Sequence, residues 1–284
     1  MEMSRRELMR AVFGSAPAMK LRQLLEDGHP PSPELRRFRI QVPGLDRRLD
    51  GMRIGHLSDV HIGGMTLGPA YLEQSLRVFG RSAPELLMVT GDLLDDPRAT
   101  RACMDMLAAR RAPYGAFYSL GNHENFQDRD HIISETRRHG GVRLLLNEEA
   151  FVRVGDATVH VGGVDYPVTQ GAVAKRTAIN EQNAQAATAH AADADYRIAL
   201  SHHPDEWDDL WARGADLTLS GHTHGGQIAP VGPALNSAWY KYVYGFYQQS
   251  GRHLYVSGGT GHSLPYRVGI AAEVTEFTLV RTTA

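Results

Sequence analysis

The chain of 284 residues has one cysteine, Cys103. A single thiol cannot close a disulfide within the chain, and thiolates cannot dominate a metal site. Cys103 reads as a buried filler on a helix. No apolar run reaches the roughly 18 residues that a membrane-spanning helix requires. Neither sign of charge prevails: the net charge is -2 at neutral pH, with acids and bases interspersed. A polyanion-binding surface is therefore not expected, and nucleic acid is not expected as a structural partner. There is no internal repeat and no low-complexity tract. The length suffices for one large core or two small ones. Histidine is what the chain has in abundance, at 14 residues.

The N-terminal stretch supports two readings. Ser4-Arg5-Arg6-Glu7-Leu8-Met9-Arg10 resembles a twin-arginine export signal, and Ala16-Pro17-Ala18 resembles a small-residue cleavage site. The apolar stretch between them is short and broken by Gly14, Ser15 and Pro17, and Lys20 and Arg22 follow at once. That pattern reads equally as a basic helix lying on a membrane surface or docked on the body. The expected location is cytoplasmic or peripheral to a membrane, with export as the alternative. The proline-rich break at 28–33 divides residues 1–33, an N-terminal segment, from a folded domain over 34–284.

Hydrophobic patterning predicts strands near 37–42, 53–57, 86–89, 115–120, around Leu144, and near 151–154, 158–161, 197–200, 217–219, 253–256 and 273–280. Helices are expected after Pro69, after Pro97, over 128–139, in the alanine-rich stretch before Asp195, and over 205–213. Residues 229–247, rich in Pro, Gly and Tyr, read as loop rather than helix. Strands alternate with helices early and dominate late, which argues for an α/β sandwich with sheets in the middle.

Five of these strands run out into ligand-type residues: Asp59/His61, Asp92, Asn122/His123, His202 and His222/His224. In open α/β sheets, sites form beyond the carboxyl ends of strands. In Gly221-His222-Thr223-His224-Gly225-Gly226, alternation along an extended segment sends both imidazoles to one side. Each end alone has a plain explanation as a turn or a cap; their joint occurrence does not. Carboxylate, amide and imidazole ligands without cysteine suit borderline or hard divalent ions.

Asp59-Val60-His61, Gly91-Asp92, Gly121-Asn122-His123-Glu124, His202-His203-Pro204 and Gly221-His222-Thr223-His224 resemble the five motifs of the calcineurin-like metallophosphoesterases. Leu57-Ser58-Asp59-Val60-His61-Ile62-Gly63, Thr66-Leu67-Gly68-Pro69, His222-Thr223-His224-Gly225-Gly226-Gln227 and Leu254-Tyr255-Val256-Ser257 are similar to a bacterial phosphodiesterase branch that includes UDP-2,3-diacylglucosamine pyrophosphatases. The resemblance implies a four-layer αββα sandwich with two central mixed sheets. It implies two divalent metal ions, manganese first, with zinc or iron as alternatives. Asp59, His61 and His224 would hold one ion, Asn122, His202 and His222 the other, and Asp92 would bridge. A hydroxide shared by both ions would attack a phosphodiester or pyrophosphate, and His123 would protonate the leaving oxygen. The substrate implied is a small-molecule or lipid-linked diester.

The departures narrow this. Leu93-Leu94-Asp95 follows Gly91-Asp92 without the tyrosine of purple acid phosphatases. Residues 91–97 lack the arginine that protein phosphatases use for phosphate. Ser257-Gly258-Gly259 stands where the branch has Ser-Arg-Gly, which leaves Arg267 as the candidate substrate-binding arginine, against the reading of an ordinary salt bridge. His203 is expected outside the ligand set, and His56 and His262 are expected to be structural. The aromatic stretch 239–247 could cover the site or pack on the body. A reading of another class is an inactive scaffold that keeps this fold for protein binding; the presence of all seven ligand positions and His123 argues against it.

Overall fold

The computed structural model describes residues 32–64, 67–80, 84–110, 112–166, 173–227, 231–262 and 267–283. The proposed export or membrane-surface segment lies outside them except for Ser32 and Pro33, as do Thr66 and Leu264-Pro265-Tyr266.

Every residue of strand β3 (Leu86–Thr90) is buried. Leu86 and Met88 enter a core between two sheets, while Leu87 and Val89 face helices on the other side. A strand covered on both faces has no wet side, so its sequence is continuously apolar rather than alternating. Strand β6 (Glu148–Val154), at a sheet edge, alternates instead: Ala150, Val152 and Val154 are buried, and Phe151 and Arg153 are exposed.

Among the described residues the strands form two six-stranded sheets. The first runs β1 (Glu34–Pro43), β12 (Glu273–Thr282), β2 (Arg53–Leu57), β3, β4 (Ala116–Ser119), β5 (Arg143–Leu144). Here β12 is antiparallel to β2, and the other pairs are parallel. The second runs β10 (Gly245–Gln249), β11 (Arg252–Val256), β9 (Leu217–Ser220), β8 (Tyr196–Leu200), β7 (Ala157–Gly163), β6, with both edge pairs antiparallel and the rest parallel. Both sheets are thus mixed. The Gly155-Asp156 turn closes the β6–β7 hairpin, where Val154 pairs with Ala157.

Between the sheets pack Ile54, Met88 and Phe117 from one side and Val159, Ile198, Leu219 and Tyr255 from the other. Outside the first sheet lie α1 (Pro69–Arg77), α2 (Thr100–Ala109) and α4 (Arg129–His139), which bury Leu72, Leu76, Cys103, Met104, Leu107 and Ile132. Pro69 opens α1, where a missing N–H costs nothing. Outside the second sheet lie α5 (Val173–Ala187) and α6 (Trp207–Ala212), contributing Ala184, Ala187 and Leu210. The result is the expected four-layer αββα sandwich.

The stretch read as loop at 229–247 differs. It contains the short helix α7 (Val231–Asn236) and the first three residues of strand β10. Pro233 falls in the first turn of α7, where proline is tolerated. The Asn236 side-chain amide donates to the Thr223 carbonyl at 3.1 Å, tying the helix to the β9 loop. Tertiary contact supplies what the local composition does not.

Candidate metal centre

Asp59 and His61 follow β2, Asp92 follows β3, and Asn122 and His123 open the five-residue helix α3 (Asn122–Phe126) after β4. His202 follows β8, and His222 and His224 follow β9. The loops are zipped together through the backbone: Asp59 N–H donates to the Gly91 carbonyl at 3.0 Å and His61 N–H to the Asp92 carbonyl at 2.9 Å. His222 N–H donates to Asp59 Oδ1 at 3.0 Å, and His123 N–H to Asp92 Oδ1 at 2.8 Å. Gly221 is required by this closeness, since a Cβ there would fall against Ser58 Oγ and Asp59 Oδ2.

Eight described non-glycine residues have positive φ, and five are proposed ligands: Asp59 (53°), His61 (57°), Asp92 (50°), His222 (70°) and His224 (51°). Each left-handed residue costs on the order of 1–3 kcal/mol unless its surroundings hold it, and such strain gathers at functional sites. These angles also overturn one expectation. The segment 222–224 is not extended, so His222 and His224 do not share a side by alternation. Two left-handed turns send them to different clusters.

In the first cluster His61 Nε2 lies 3.1 Å from His224 Nε2, and His224 Nε2 lies 3.3 Å from Asp59 Oδ1. In the second, His222 Nδ1 lies 2.8 Å from Asn122 Oδ1 and 3.2 Å from His202 Nε2, which is itself 3.2 Å from Asn122 Oδ1. Asp92 Oδ2 stands between them, 3.2 Å from His202 Nε2 and 3.9 Å from His61 Nε2. The structure thus brings all seven proposed ligands together. Asn122 begins α3 rather than capping it, which leaves its side-chain oxygen for this cage.

The donor set fits cations. His202 Nδ1 lies 2.8 Å from the Thr90 carbonyl. Its proton belongs on that bond, so Nε2 is bare and confronts Asp92 Oδ2 and Asn122 Oδ1. Acceptors converging at about 3 Å repel unless a proton or cation lies among them. Among the chain's own groups, protons take that role. Burial pulls His202 down, but Asp92 and Asp59 outweigh it and hold the imidazole up to about 10. Burial opposes ionisation of Asp92, yet His202, with His61 and His123, holds its carboxyl well below the usual range. Burial and the neighbouring charges of His61 and Arg267 keep His224 neutral, with its pKa far below the ordinary value. Oxygen and imidazole donors without sulfur suit borderline or hard divalent ions.

His123 stands at the edge of the cage. Its side chain is 30 % exposed, and its Nε2 lies 3.9 Å from Asp92 Oδ2. Its Nδ1 lies 2.7 Å from Asp95 Oδ1, and that hydrogen bond raises its pKa. Arg267 lies beside the first cluster, with Nη2 3.2 Å from His224 Nδ1. Its N–H groups donate to the carbonyls of Gly258 and Gly261. Arg267 Nη2 can donate to His224 Nδ1 only while that nitrogen is bare; were Nε2 to hold a cation, Nδ1 would carry the proton and the two N–H groups would repel. His203 is buried outside the ligand set, its ring 5.1 Å from that of His222. His56 is buried, with Nε2 2.7 Å from Thr90 Oγ1. His262 is partly buried, and burial lowers its pKa to about 4.

Three further residues serve the cage without having been assigned a role in the sequence. Asp95 Oδ1 also lies 3.1 Å from His61 Nδ1. Glu124, fully buried, accepts from the N–H groups of Asp92, Leu93, Leu94 and Gly121 at 2.7–3.0 Å and from the Tyr118 hydroxyl at 2.8 Å. Its place three residues after the N-cap Gly121 lets it accept that residue's N–H, half of a capping box, since glycine has no side chain to return the bond. Tyr240, in the aromatic stretch, has its hydroxyl 3.2 Å from His222 Nε2. No sequence pattern singles out Tyr240 among its neighbours.

A model of the calcineurin-like phosphoesterase family matches residues 52–226, more than half of the chain. The uncharacterized metallophosphoesterase YkuE of Bacillus subtilis is 27% identical over 295 residues, covering 99% of each chain. An uncharacterized metallophosphoesterase of Campylobacter jejuni is 28% identical over 239 residues, 81% of this chain and 58% of that one. The chain therefore spans little more than half the length of the Campylobacter relative. The phosphodiesterase YaeI of Escherichia coli is 28% identical over 208 residues, 69% of this chain and 71% of that one.

Proposed function

This chain belongs to the calcineurin-like phosphoesterase family, and from that premise we propose that it hydrolyses phosphodiesters at a dinuclear metal centre. The observation that carries the proposal is the cage itself: ligand-type side chains from five strand ends, with neighbouring donor atoms 2.8–3.3 Å apart. In this reading Asp59, His61 and His224 hold one divalent cation, Asn122, His202 and His222 hold the other, and Asp92 serves both. Manganese is the ion proposed first, as the family resemblance implies; oxygen and imidazole donors without thiolate suit zinc and iron as well. When bound, the cations supply positive charge to phosphoryl oxygens and lower the pKa of water.

The chain's own groups do the rest. Asn122 and the imidazoles fix where the phosphoryl group can sit. His123 gives a proton to the leaving oxygen from Nε2, while Asp95 holds its Nδ1. Arg267 contributes positive charge beside His224, its N–H groups being engaged by Gly258 and Gly261. Phe126 is 73 % exposed, with its ring 5.9 Å from that of His123. That apolar wall beside the proton donor supports a leaving group with a ring or an acyl chain, and a lipid-linked pyrophosphate such as UDP-2,3-diacylglucosamine is one such substrate. The similarity to a phosphodiesterase of Escherichia coli supports diester over monoester. Residues 34–284 are proposed as the catalytic domain.

The test is metal analysis of the purified protein, coupled to hydrolysis of bis(p-nitrophenyl) phosphate against p-nitrophenyl phosphate. Two ions per chain and preference for the diester are expected. Activity on the monoester alone overturns the diesterase reading.

A further inference from the structure

His222 presents the cage with Nδ1, the nitrogen nearer its own backbone. An imidazole that ligates through Nδ1 keeps its proton on Nε2, and that proton needs an acceptor to fix the ring. The Tyr240 hydroxyl is placed to be such an acceptor, 3.2 Å from Nε2, with the tyrosine ring edge-on at 5.4 Å. From this geometry, and resting on the dinuclear reading above, we infer that Tyr240 is the positioning residue that turns His222 Nδ1 into the cage and so sets the affinity of the second cation site.

The placement of Tyr240 is over-determined. Its N–H donates to the Asn236 carbonyl at 2.9 Å, and Asn236 is tied in turn to Thr223, the residue after His222. On the other side, Lys241 and Tyr242 N–H groups donate to Asp205 Oδ1 at 3.0 and 3.2 Å. Asp205 follows His202-His203-Pro204, so the segment carrying Tyr240 is pinned to both loops that supply the imidazoles of the second site. His203 lies against the same ring pair, 5.1 Å from His222 and 5.4 Å from Tyr240. An open cavity of about 230 Å³, lined by His222, His224, Gln227, Asn236 and Tyr240, adjoins this contact.

The partners of the other imidazoles make the two sites unequal. In the first site His61 leans on the Asp95 carboxylate, and His224 neighbours the Arg267 guanidinium. In the second site the partners are neutral: the Thr90 carbonyl for His202 and the Tyr240 hydroxyl for His222. A carboxylate partner raises the basicity of a ligating imidazole and a neutral one does so less. The Arg267 guanidinium works against the first site, but the Asp59 carboxylate there, against the neutral Asn122 amide in the second, outweighs it; the second site is inferred to be the weaker, and the hydroxyl of Tyr240 holds up what affinity it has.

The experiment is calorimetric titration of chelator-treated full-length protein with Mn2+ alone, comparing wild type with Tyr240→Phe. Wild type is expected to bind two ions with unequal affinity. Tyr240→Phe is expected to keep the tighter site and to weaken the other by about 10–100-fold, the usual cost of removing such a partner. Its turnover should recover as Mn2+ is raised. Two unchanged affinities in the variant, or an equal loss at both sites, overturns the inference, because a merely structural role moves both together. Fewer than two ions in wild type sinks the dinuclear reading itself, a distinguishable result.

Discussion

Asp95 Oδ1 lies 2.7 Å from His123 Nδ1, and the same oxygen lies 3.1 Å from His61 Nδ1. One carboxylate oxygen thus aims both a cage imidazole and the imidazole at the cage edge, whose rings meet edge to face at 4.5 Å. The two histidines keep Asp95 ionised: burial works against this, but their hydrogen bonds lower its pKa to about 2.

If His123 protonates the leaving oxygen, its removal matters only where the leaving group needs a proton. His123→Ala should slow a diester with an alkoxide leaving group by about 10²–10⁴-fold, the usual worth of a positioned acid. Nitrophenolate departs unprotonated, so bis(p-nitrophenyl) phosphate should be affected much less. Asp95→Asn should show a weaker form of this pattern on top of a loss common to both substrates, because the same oxygen also aims His61. Equal losses on both substrates in His123→Ala would remove His123 from the acid role.

Glu124 predicts a stability effect inside the site. Its carboxylate gathers four backbone N–H groups from the Asp92 and Gly121 loops. A glutamine in its place turns an N–H toward donors and strands some of them. Glu124→Gln should cost about 1–3 kcal/mol for each buried N–H left unpaired. Denaturant unfolding measures this, and metal content should fall with it, since Asp92 loses its backbone anchor. Unchanged stability would mean that the loop holds without this anion.

The pH dependence of stability has an identifiable contributor in His56, fully buried between Tyr255 and Phe277. Burial lowers its pKa to about 3. The unfolded chain takes up this proton near pH 6.5 and the folded chain does not, so the neutral ring's contribution is complete above 6.5 and is lost as pH falls toward 3. One such proton is worth about 1.4 kcal/mol per pH unit within that window. Urea midpoints from pH 7 to 5 should therefore fall more steeply for wild type than for His56→Gln. Parallel slopes would contradict the assignment.

Asp92→Asn addresses the bridge. An amide cannot bring negative charge to two cations, so metal retained per chain should drop from two to at most one, and turnover should drop at least tenfold. Mass spectrometry of the purified variant gives the count. Two ions retained would deny Asp92 its shared position.

The strands were legible because burial on both faces writes itself as apolar runs, as in Leu86 to Val89, and because each run ends abruptly in Asp, Asn or His. The same ends singled out the proposed ligand residues that the structure brings together. The orientation of His222 and His224 was not, because left-handed φ angles at non-glycine residues are imposed by the surrounding loops and leave no local signature. Helix α7 was hidden by the proline and glycine of its own sequence and is fixed by Asn236 reaching Thr223. Asp95 and Tyr240 act through side chains far away in sequence, and nothing beside them announces their partners.

The central claim is that Asp92 stands between two cations, one against Asp59, His61 and His224 and the other against Asn122, His202 and His222. Anomalous diffraction from crystals grown with Mn2+ tests it most directly. Two peaks are predicted, one within each trio and both within ligand distance of Asp92. No peak there, or peaks that do not share Asp92, would contradict it.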